Sequence, residues 1–190
     1  MPRLSNIKQR RHQPIWSTLV RTTGILTNQI QSGQKLFQST AGGVAETNMQ
    51  TAGQLPGDQT YVILAARAYI YFEGTNKRAL YLNTLSQLFF ALNVGDKTQF
   101  TAPAWYFPAG GGLSGFDATA SVFNNGEPSQ KSIMTLAKPI SVPVRQHFNV
   151  DCIFSAVGTT NALDLLNGGA ASDQKVITFF VDGVQTRDVE

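Results

Sequence analysis

Cysteine is nearly absent from this chain, and its scarcity excludes several kinds of site. Cys152 is the only cysteine, so no disulfide can form within the chain. We expect a buried packing thiol there rather than a nucleophile, because free cysteines are usually buried. Histidine is almost as rare, with only His12 and His147. Without cysteine pairs or a histidine cluster there is no zinc-type ligand set, and we predict no metal and no cofactor.

Charged residues are also scarce, at 14% of the chain. Low charge with ordinary apolar content is typical of a surface that meets another protein. The charges are unevenly spread. Residues 1–45 hold six of the fifteen basic residues and no acid, which leaves nine basic against twelve acidic residues in the remainder. The sequence therefore predicts a basic N-terminal segment joined to a mildly acidic body.

Long apolar runs are missing as well. No run approaches the roughly 20 residues that a membrane-spanning helix needs. The first basic residues are not followed by the apolar stretch of a signal peptide, so we expect synthesis in the cytoplasm. At 190 residues the chain can bury a core without disulfides, as one domain or as one domain plus an arm.

Two patterns resemble catalytic motifs but lack the context that catalysis needs. His147, Asp151 and Ser155 would share one face of a strand, where each four-residue step covers about 13 Å. Members of a catalytic triad must touch at about 3 Å. Gly110–Gly115 matches G-x-G-x-x-G, but no strand precedes it and no helix follows it. We therefore predict that His147, Asp151 and Ser155 lie on a polar strand face and that Gly110–Gly115 is a glycine-rich loop. We predict that the chain is not an enzyme.

The residues that are present favour strands, most clearly in the last third of the chain. Over residues 139–154 the apolar side chains alternate strictly, which predicts a strand with one buried face: Ile140, Val142, Val144, Phe148, Val150, Cys152 and Phe154. Residues 176–187 are apolar on both parities, which predicts a strand covered on both sides. Residues 60–72 predict an unusually long strand with Val62, Leu64, Ala66, Ala68, Ile70 and Phe72 on one face.

Shorter segments complete an all-β pattern. Residues 35–40 predict a short strand, and 77–86 a short helix or turn followed by a hairpin through Gly95-Asp96. Residues 103–115 predict a long loop, and 118–136 strand, tight turn and strand. Seven or eight mostly antiparallel strands predict a single jelly-roll (Greek-key) β-sandwich with long loops. We place a basic, partly extended N-terminal arm at residues 1–33 and the jelly-roll domain at 34–190.

Two groups of residues are candidates for contacts with partners. Arg3, Lys8, Arg10 and Arg11 could contact nucleic acid phosphates or anionic lipid headgroups, or belong to a solvated end. Five aromatic residues are candidates for subunit contact, with a core position or a sugar-binding platform as alternatives: Tyr69, Tyr71, Trp105, Tyr106 and Phe107.

The order of several segments resembles the jelly-roll capsid proteins of tailless icosahedral bacteriophages, of the tectivirus, corticovirus and sphaerolipovirus sort. One segment is TNMQTAGQLP at residues 47–56, which leads into the long strand with AARA at 65–68. A second is FPAGGGLSG at 107–115, which is similar to the glycine-rich loop of such shells. The third comprises PISVP at 139–143, QHFNV at 146–150 and FVDGVQTR at 180–187, similar to the closing strands of the family.

The resemblance implies a structural protein of the virion that oligomerises and tiles an icosahedral shell around the genome, often over an internal membrane. Its expected partners are copies of itself and other capsid proteins, with the genome or the membrane reached through the arm. Many such proteins carry two jelly rolls, and this chain has room for one. It would then be a single-jelly-roll subunit, one of two paired coat proteins or a minor vertex protein. The alternative is a spike or lectin-like binding module.

Overall fold

The structure of the chain is a computed structural model that describes residues 8–21, 30–38, 46–72, 77–108, 133–155, 161–167 and 174–188. Strands dominate these residues. The strands are β1 Lys8–His12, β2 Ile15–Arg21, β3 Gln34–Leu36, β4 Gln59–Phe72, β5 Leu88–Val94, β6 Lys97–Pro103, β7 Met134–Val142, β8 Phe148–Phe154 and β9 Lys175–Asp188. The helices are α1 Lys77–Gln87 and α2 Ala162–Asn167, with a 3-10 helix at Ala104–Tyr106.

The described strands form two antiparallel sheets. Sheet A has the order β1-β9-β4-β7, and β2 continues the β1 edge by pairing with the other end of β9. Sheet B has the order β3-β8-β5-β6. With few helices beside these two sheets, the all-β sandwich predicted from the sequence is confirmed.

The strand partners follow a nested order along the chain. β2 pairs with β9, β3 with β8, β4 with β7 and β5 with β6, all antiparallel. Counted inward from β2 and from β9, each strand pairs with its counterpart from the other end, as in one long hairpin, and β1 also pairs with β9. Successive pairs alternate between sheet A and sheet B. The pairings of β9 with β4 and of β8 with β5 then complete the two sheets.

The core lies between the two sheets and is rich in phenylalanine. Phe90 of β5 and Phe179 of β9 meet across the layers, with ring centroids 4.8 Å apart. Phe107 packs against both rings at 6.0 and 5.3 Å. Tilted and edge-on contacts of this kind add to the stabilisation from burying the rings. All three side chains are buried, so sheet A and sheet B share one core.

β4 confirms the long strand predicted over residues 60–72 but not its uniform alternation. A β-bulge falls between Ile63 and Ala65 in the pairing of β4 with both neighbours. Odd-numbered residues are buried before the bulge, and the even-numbered ones from 66 to 72 are buried after it. Leu64, at the bulge, is 39% exposed. The prediction that Val62 and Leu64 share one face with Ala66, Ala68, Ile70 and Phe72 is therefore wrong, because the extra residue at the bulge reverses which parity faces the core.

The single strand predicted over residues 139–154 is wrong. The structure has two strands here, β7 in sheet A and β8 in sheet B. Between them is a turn in which the Gln146 amide donates to the Pro143 carbonyl at 3.2 Å and Arg145 has a positive φ of 58°. Pro143 has no N–H for a sheet ladder, so the strand ends and the chain crosses to the other sheet. Within β8 the predicted burial of Phe148, Val150 and Cys152 is confirmed.

The elements predicted between residues 35 and 103 are largely confirmed. α1 runs directly into β5, and β5 pairs with β6 across the turn at Gly95–Asp96. β3 is shorter than the strand predicted over 35–40. The glycine-rich loop at 110–115 and the first strand and turn of the hairpin predicted over 118–136 lie outside the described residues. The second strand of that hairpin forms the beginning of β7.

Part of the predicted N-terminal arm belongs to sheet A. β1 and β2 both pair with β9, and Ile15 and Leu19 of β2 are buried in the core. The segment predicted as an arm thus contributes two strands to this sheet. Ile15, Ser17 and Leu19 occupy every second position of β2 and are buried, as expected of a strand that buries one face.

β9 was predicted to be covered on both sides, and the structure covers its two faces unequally. Ile177, Phe179 and Val181 are fully buried between the sheets. Val176, Phe180 and Val184 point to the outer face of sheet A and are half-buried. The strand nevertheless continues through Asp182–Gly183 without a turn, as predicted.

Candidate interaction surfaces

The basic residues of the N-terminal segment divide between the two faces of sheet A. Arg3 lies outside the described residues, whereas Lys8, Arg10 and Arg11 are on β1 and are exposed. The Arg11 Nε donates to Oε1 of Gln185 at 2.6 Å, and Gln185 is buried on the inner face of β9. Because side chains alternate along a strand, Lys8 and Arg10 point to the outer face. The three described residues of this group therefore do not lie on one face of the strand.

The inner face at this end of sheet A forms a pocket that the sequence analysis did not anticipate. We call it the glutamine pocket; its volume is about 230 Å³. Arg11 lines it together with six amide side chains: Gln13, Asn48, Gln50, Gln54, Gln59 and Gln185. Apolar side chains of the 46–58 segment and of β2 complete the wall. The sequence carries no signal for the pocket here, because residues 8–13 are all polar and show no alternation that would distinguish one strand face from the other.

Hydrogen bonds fix the segment between β1 and β2 at the rim of this pocket. The Tyr61 hydroxyl lies within hydrogen-bonding distance of the carbonyl oxygens of Gln13 and Val181. Asn48 accepts from the Trp16 amide at 3.1 Å and donates to the Pro14 carbonyl at 2.8 Å. Burial raises the pKa of Tyr61 above its ordinary value, and the nearby negative charge of Asp182 raises it further. The hydroxyl therefore stays protonated and can donate.

Tyr69 and Tyr71 lie on the outer face of sheet A, where both are half-buried. Trp16 and Phe180 are directly opposite each other on the same face, and we call these four residues the aromatic face. Beside it Arg67 makes a two-pronged ion pair with Asp182, at 2.7 and 2.8 Å, and lies 5.9 Å from the Phe180 ring.

Trp105 and Tyr106 are the most exposed aromatic side chains among the described residues, at 61% and 46%. They follow β6 on the 3-10 helix, with ring centroids 6.0 Å apart and rings nearly perpendicular. We call this pair the aromatic knob. Phe107 is next in sequence but only 1% exposed, and it packs in the core. The structure therefore does not present Phe107 for subunit contact, because the 3-10 helix turns it inward.

The residues of the triad-like pattern are separated along and beyond β8. His147 is exposed and forms an isolated bridge with Gln54. Asp151 accepts from Nδ2 of Asn93 at 2.9 Å through one carboxylate oxygen, and its other oxygen is buried without a partner among the described residues. Extended backbone separates the two residues by about 13 Å along the strand. His147 and Asp151 thus contact different neighbours.

The remaining reactive side chain is Cys152. It is fully buried in β8, and burial raises the pKa of its thiol, with a further contribution from the negative charge of Asp151. Within the described ranges no three His, Cys, Asp or Glu side chains gather as a metal site would require. In the same ranges no helix is long and apolar enough to cross a membrane.

Comparison with known proteins gives no relative: no protein-family model, no curated protein and no solved structure matches this chain.

Proposed function

We propose that this chain is a jelly-roll subunit of a viral capsid, which assembles with copies of itself and with other capsid proteins and catalyses no reaction. The observation that carries the proposal is the nested order of the strand pairs. A jelly roll is a long antiparallel hairpin wrapped into two sheets, and it is the fold of many viral capsid and lectin domains. The pairs β2–β9, β3–β8, β4–β7 and β5–β6, which alternate between the two sheets, support this topology.

Apolar surface that this chain leaves open supports assembly. The aromatic face is half-buried, and the aromatic knob is exposed on the 3-10 helix that follows β6, so both groups are accessible to neighbours. Tyrosine and tryptophan are enriched where proteins associate, and they often supply most of the binding energy. Assembly into a shell needs at least two such surfaces on each copy, because each subunit must contact neighbours on more than one side.

Sedimentation velocity over a range of protein concentrations tests this proposal. We expect the unmodified chain to form species larger than a monomer as concentration rises. The double variant Trp105→Ser and Tyr106→Ser should remain monomeric at concentrations where the unmodified chain associates. Lys97→Ser, an exposed change on β6 nearby, is the matched control. An unmodified chain that stays monomeric throughout, or a control that dissociates like the double variant, contradicts the proposal.

The basic residues on the outer face of sheet A support a second contact, with the genome or an anionic membrane inside the shell. Lys8 and Arg10 are exposed on an edge strand and have no ion pair among the described residues. Each gives only weak, salt-sensitive attraction to phosphate groups. Many copies in a shell would add these contributions through avidity. The protein would then be located in the virion after synthesis in the host cytoplasm.

A second candidate function is a spike or lectin-like binding module, and the aromatic knob favours it. Exposed aromatic rings can stack on sugar rings, and lectins also use the jelly roll. Screening the purified chain on a glycan array tests this candidate. Binding that disappears in Trp105→Ala and persists in Leu82→Ala, another exposed apolar residue, would support it. Binding that Trp105→Ala leaves intact would exclude this site.

A further inference from the structure

We propose that the glutamine pocket is a binding site for a carboxylate group, with Arg11 as its charged ligand. This site is separate from the basic residues that face outward, and it does not depend on the capsid role. The proposal follows from three properties of the pocket: its single charge, the direction of its hydrogen bonds and its size.

Arg11 is the only charged residue that lines the pocket in the described part of the chain. No carboxylate lies within ion-pair distance of it there; the one ion pair found is between Arg67 and Asp182. The guanidinium Nε is held by Gln185 at 2.6 Å, which leaves the four terminal N–H groups for a ligand. A fork of N–H donors in fixed orientation matches the two oxygens of a carboxylate.

Hydrogen bonds fix the orientation of the side-chain amides of Gln185 and Gln59 next to Arg11. A guanidinium can only donate, so Gln185 must present its oxygen to Arg11. The amide nitrogen of Gln185 then donates to Oε1 of Gln59. The chain of bonds from Arg11 through Gln185 to Gln59 therefore uses both amide oxygens and ends on the Gln59 nitrogen, which is a donor. Both ends of this series of hydrogen bonds are donors, so the pocket favours a ligand group that accepts hydrogen bonds.

The burial of Gln185 stabilises its hydrogen bonds to Arg11 and Gln59. Gln185 is 5% exposed and lies opposite Tyr61 in the sheet, and Tyr61 itself is 1% exposed. Losing its hydrogen-bond partners would leave a buried amide unsatisfied, which is destabilising, so the bonds of Gln185 to Arg11 and Gln59 persist. Arg11 is thereby positioned at the pocket although β1 is an edge strand with exposed side chains.

The size of the glutamine pocket and its single positive charge determine which anions it can bind. A volume of about 230 Å³ is below the range of roughly 300–1,000 Å³ typical of sites for cofactors and drug-sized ligands. A single side chain or a small free acid fits, whereas a nucleotide does not. One guanidinium balances one negative charge, which a carboxylate carries and a phosphate exceeds at neutral pH. The neutral donor beside Arg11 is the Gln59 nitrogen, whereas the side-chain nitrogens of Gln13 and Gln54 donate to the backbone carbonyls of Pro14 and Arg145.

Nuclear magnetic resonance titration of the full chain tests the site. One probe is sodium acetate, and the other is the acetylated, amidated tripeptide Gly-Glu-Gly, so that a free acid and a protein side chain are compared. Both should give saturable shifts of the Arg11 Nε–H and of the Gln59 and Gln185 side-chain amides. Sodium chloride at equal ionic strength and the Gly-Gln-Gly peptide should give none. Saturation by acetate alone would assign the site to small free acids rather than to protein side chains.

Three variants separate the pocket from general basic attraction. Arg11→Gln should weaken acetate binding about tenfold or more, because it removes a charge-assisted bond. Arg10→Gln, one residue away on the other face, should change it by no more than about twofold, since screened surface charges act weakly. Gln59→Leu keeps Arg11 but removes the terminal donor, and it should also weaken binding. An unchanged backbone amide spectrum shows that each variant is folded.

Several outcomes would overturn the proposal. They are shifts that do not saturate, equally weakened binding for Arg10→Gln and Arg11→Gln, and saturation by inorganic phosphate at lower concentration than by acetate. None of these results would alter the expected self-association, so failure of this site and failure of the proposed capsid role can be told apart.

Discussion

Gly183 shows why a single residue in β9 matters for the sheet. It lies opposite the bulge of β4, where the strands pair as Ile63 with Gly183 and then Ala65 with Asp182. A Cβ atom at Gly183 would lie 2.1 Å from the Val62 carbonyl oxygen, which is a backbone atom. Glycine within a strand often marks such a close approach of two chains. The bulge and the glycine are therefore one structural feature.

Gly183→Ala should destabilise the fold, because the backbone of β4 would have to move. We expect a decrease of about 3 kcal/mol in the free energy of unfolding, the upper end for inserting a methyl group into a packed site. Urea denaturation measures it. Gly57→Ala is the control, since a Cβ there would meet only the Arg145 side chain, at 3.4 Å. Equal stability of the two variants would mean that β4 and β9 do not approach as described.

The buried tyrosines give a prediction about alkaline pH. Burial raises the pKa of Tyr81 from 10.0 to about 12, and the pKa of Tyr61 is raised as well. The folded state therefore holds these protons more tightly than the unfolded chain does. Their contribution to stability is complete below about pH 10 and is lost as the pH rises toward the folded pKa. We expect the free energy of unfolding to fall between about pH 10 and pH 12.

The variant Tyr81→Phe should lose less stability over this interval, because it has no phenol to ionise. Tyr106→Phe, at an exposed position, should behave like the unmodified chain. Thermal unfolding followed by circular dichroism at each pH measures the difference. Identical pH profiles for Tyr81→Phe and Tyr106→Phe would contradict a buried Tyr81.

At the scale of elements, β1 combines a structural and an electrostatic role. It covers the edge of β9 and presents Lys8 and Arg10 outward. The double variant Lys8→Gln and Arg10→Gln should retain the fold, since both side chains are exposed. For duplex DNA, or vesicles containing an anionic lipid, we expect weaker binding and a shallower salt dependence. The slope of log K against log salt should decrease by about one for each phosphate group that the variant no longer binds.

Lys138→Gln, on the opposite edge strand of the same sheet, is the control for that measurement. It should leave both affinity and salt dependence unchanged. If the control weakens binding as much as the β1 variant, the attraction comes from overall charge and β1 has no special part in it.

Several elements could be predicted from local sequence, and their limits have physical causes. β4 and β9 were identified from their β-branched, aromatic and apolar residues, and β8 was identified from alternation, because a strand buried on one face must place apolar residues at every second position. Alternation did not reveal the bulge at Leu64, since one extra residue leaves the composition unchanged. It also joined β7 to β8 across Pro143, because apolar residues keep the same parity on both sides of the turn.

The candidate surfaces were harder to predict than the strands. Trp105 and Tyr106 are exposed whereas Phe107 is buried, and this difference depends on the direction in which the 3-10 helix turns relative to the core. Lys8 and Arg10 lie on a different face from Arg11 because residues 8–12 form a strand by pairing with β9. The sequence of residues 8–12 alone carries no sign of so distant a partner. The glutamine pocket combines three distant segments, around residues 11, 54 and 185, for the same reason.

At the scale of the whole molecule, the nested strand order and the open apolar surfaces point to one account. The chain closes its own core between two sheets, yet leaves the aromatic face half-buried and the aromatic knob exposed. A subunit that completes these surfaces with copies of itself would be stabilised by burying them, at roughly 25 cal/mol for each Å² of apolar area removed from water. Association, more than any reaction, is then what this surface provides.

Electron microscopy of material from cells that express the full chain tests this account most directly. We predict closed shells or regular two-dimensional arrays built from a repeating unit of about one chain mass, 20.6 kDa, or a small multiple of it. The Trp105→Ser and Tyr106→Ser double variant should give neither. Isolated monomers of the unmodified chain at high concentration, with no array under any condition, would contradict the assignment as a capsid subunit.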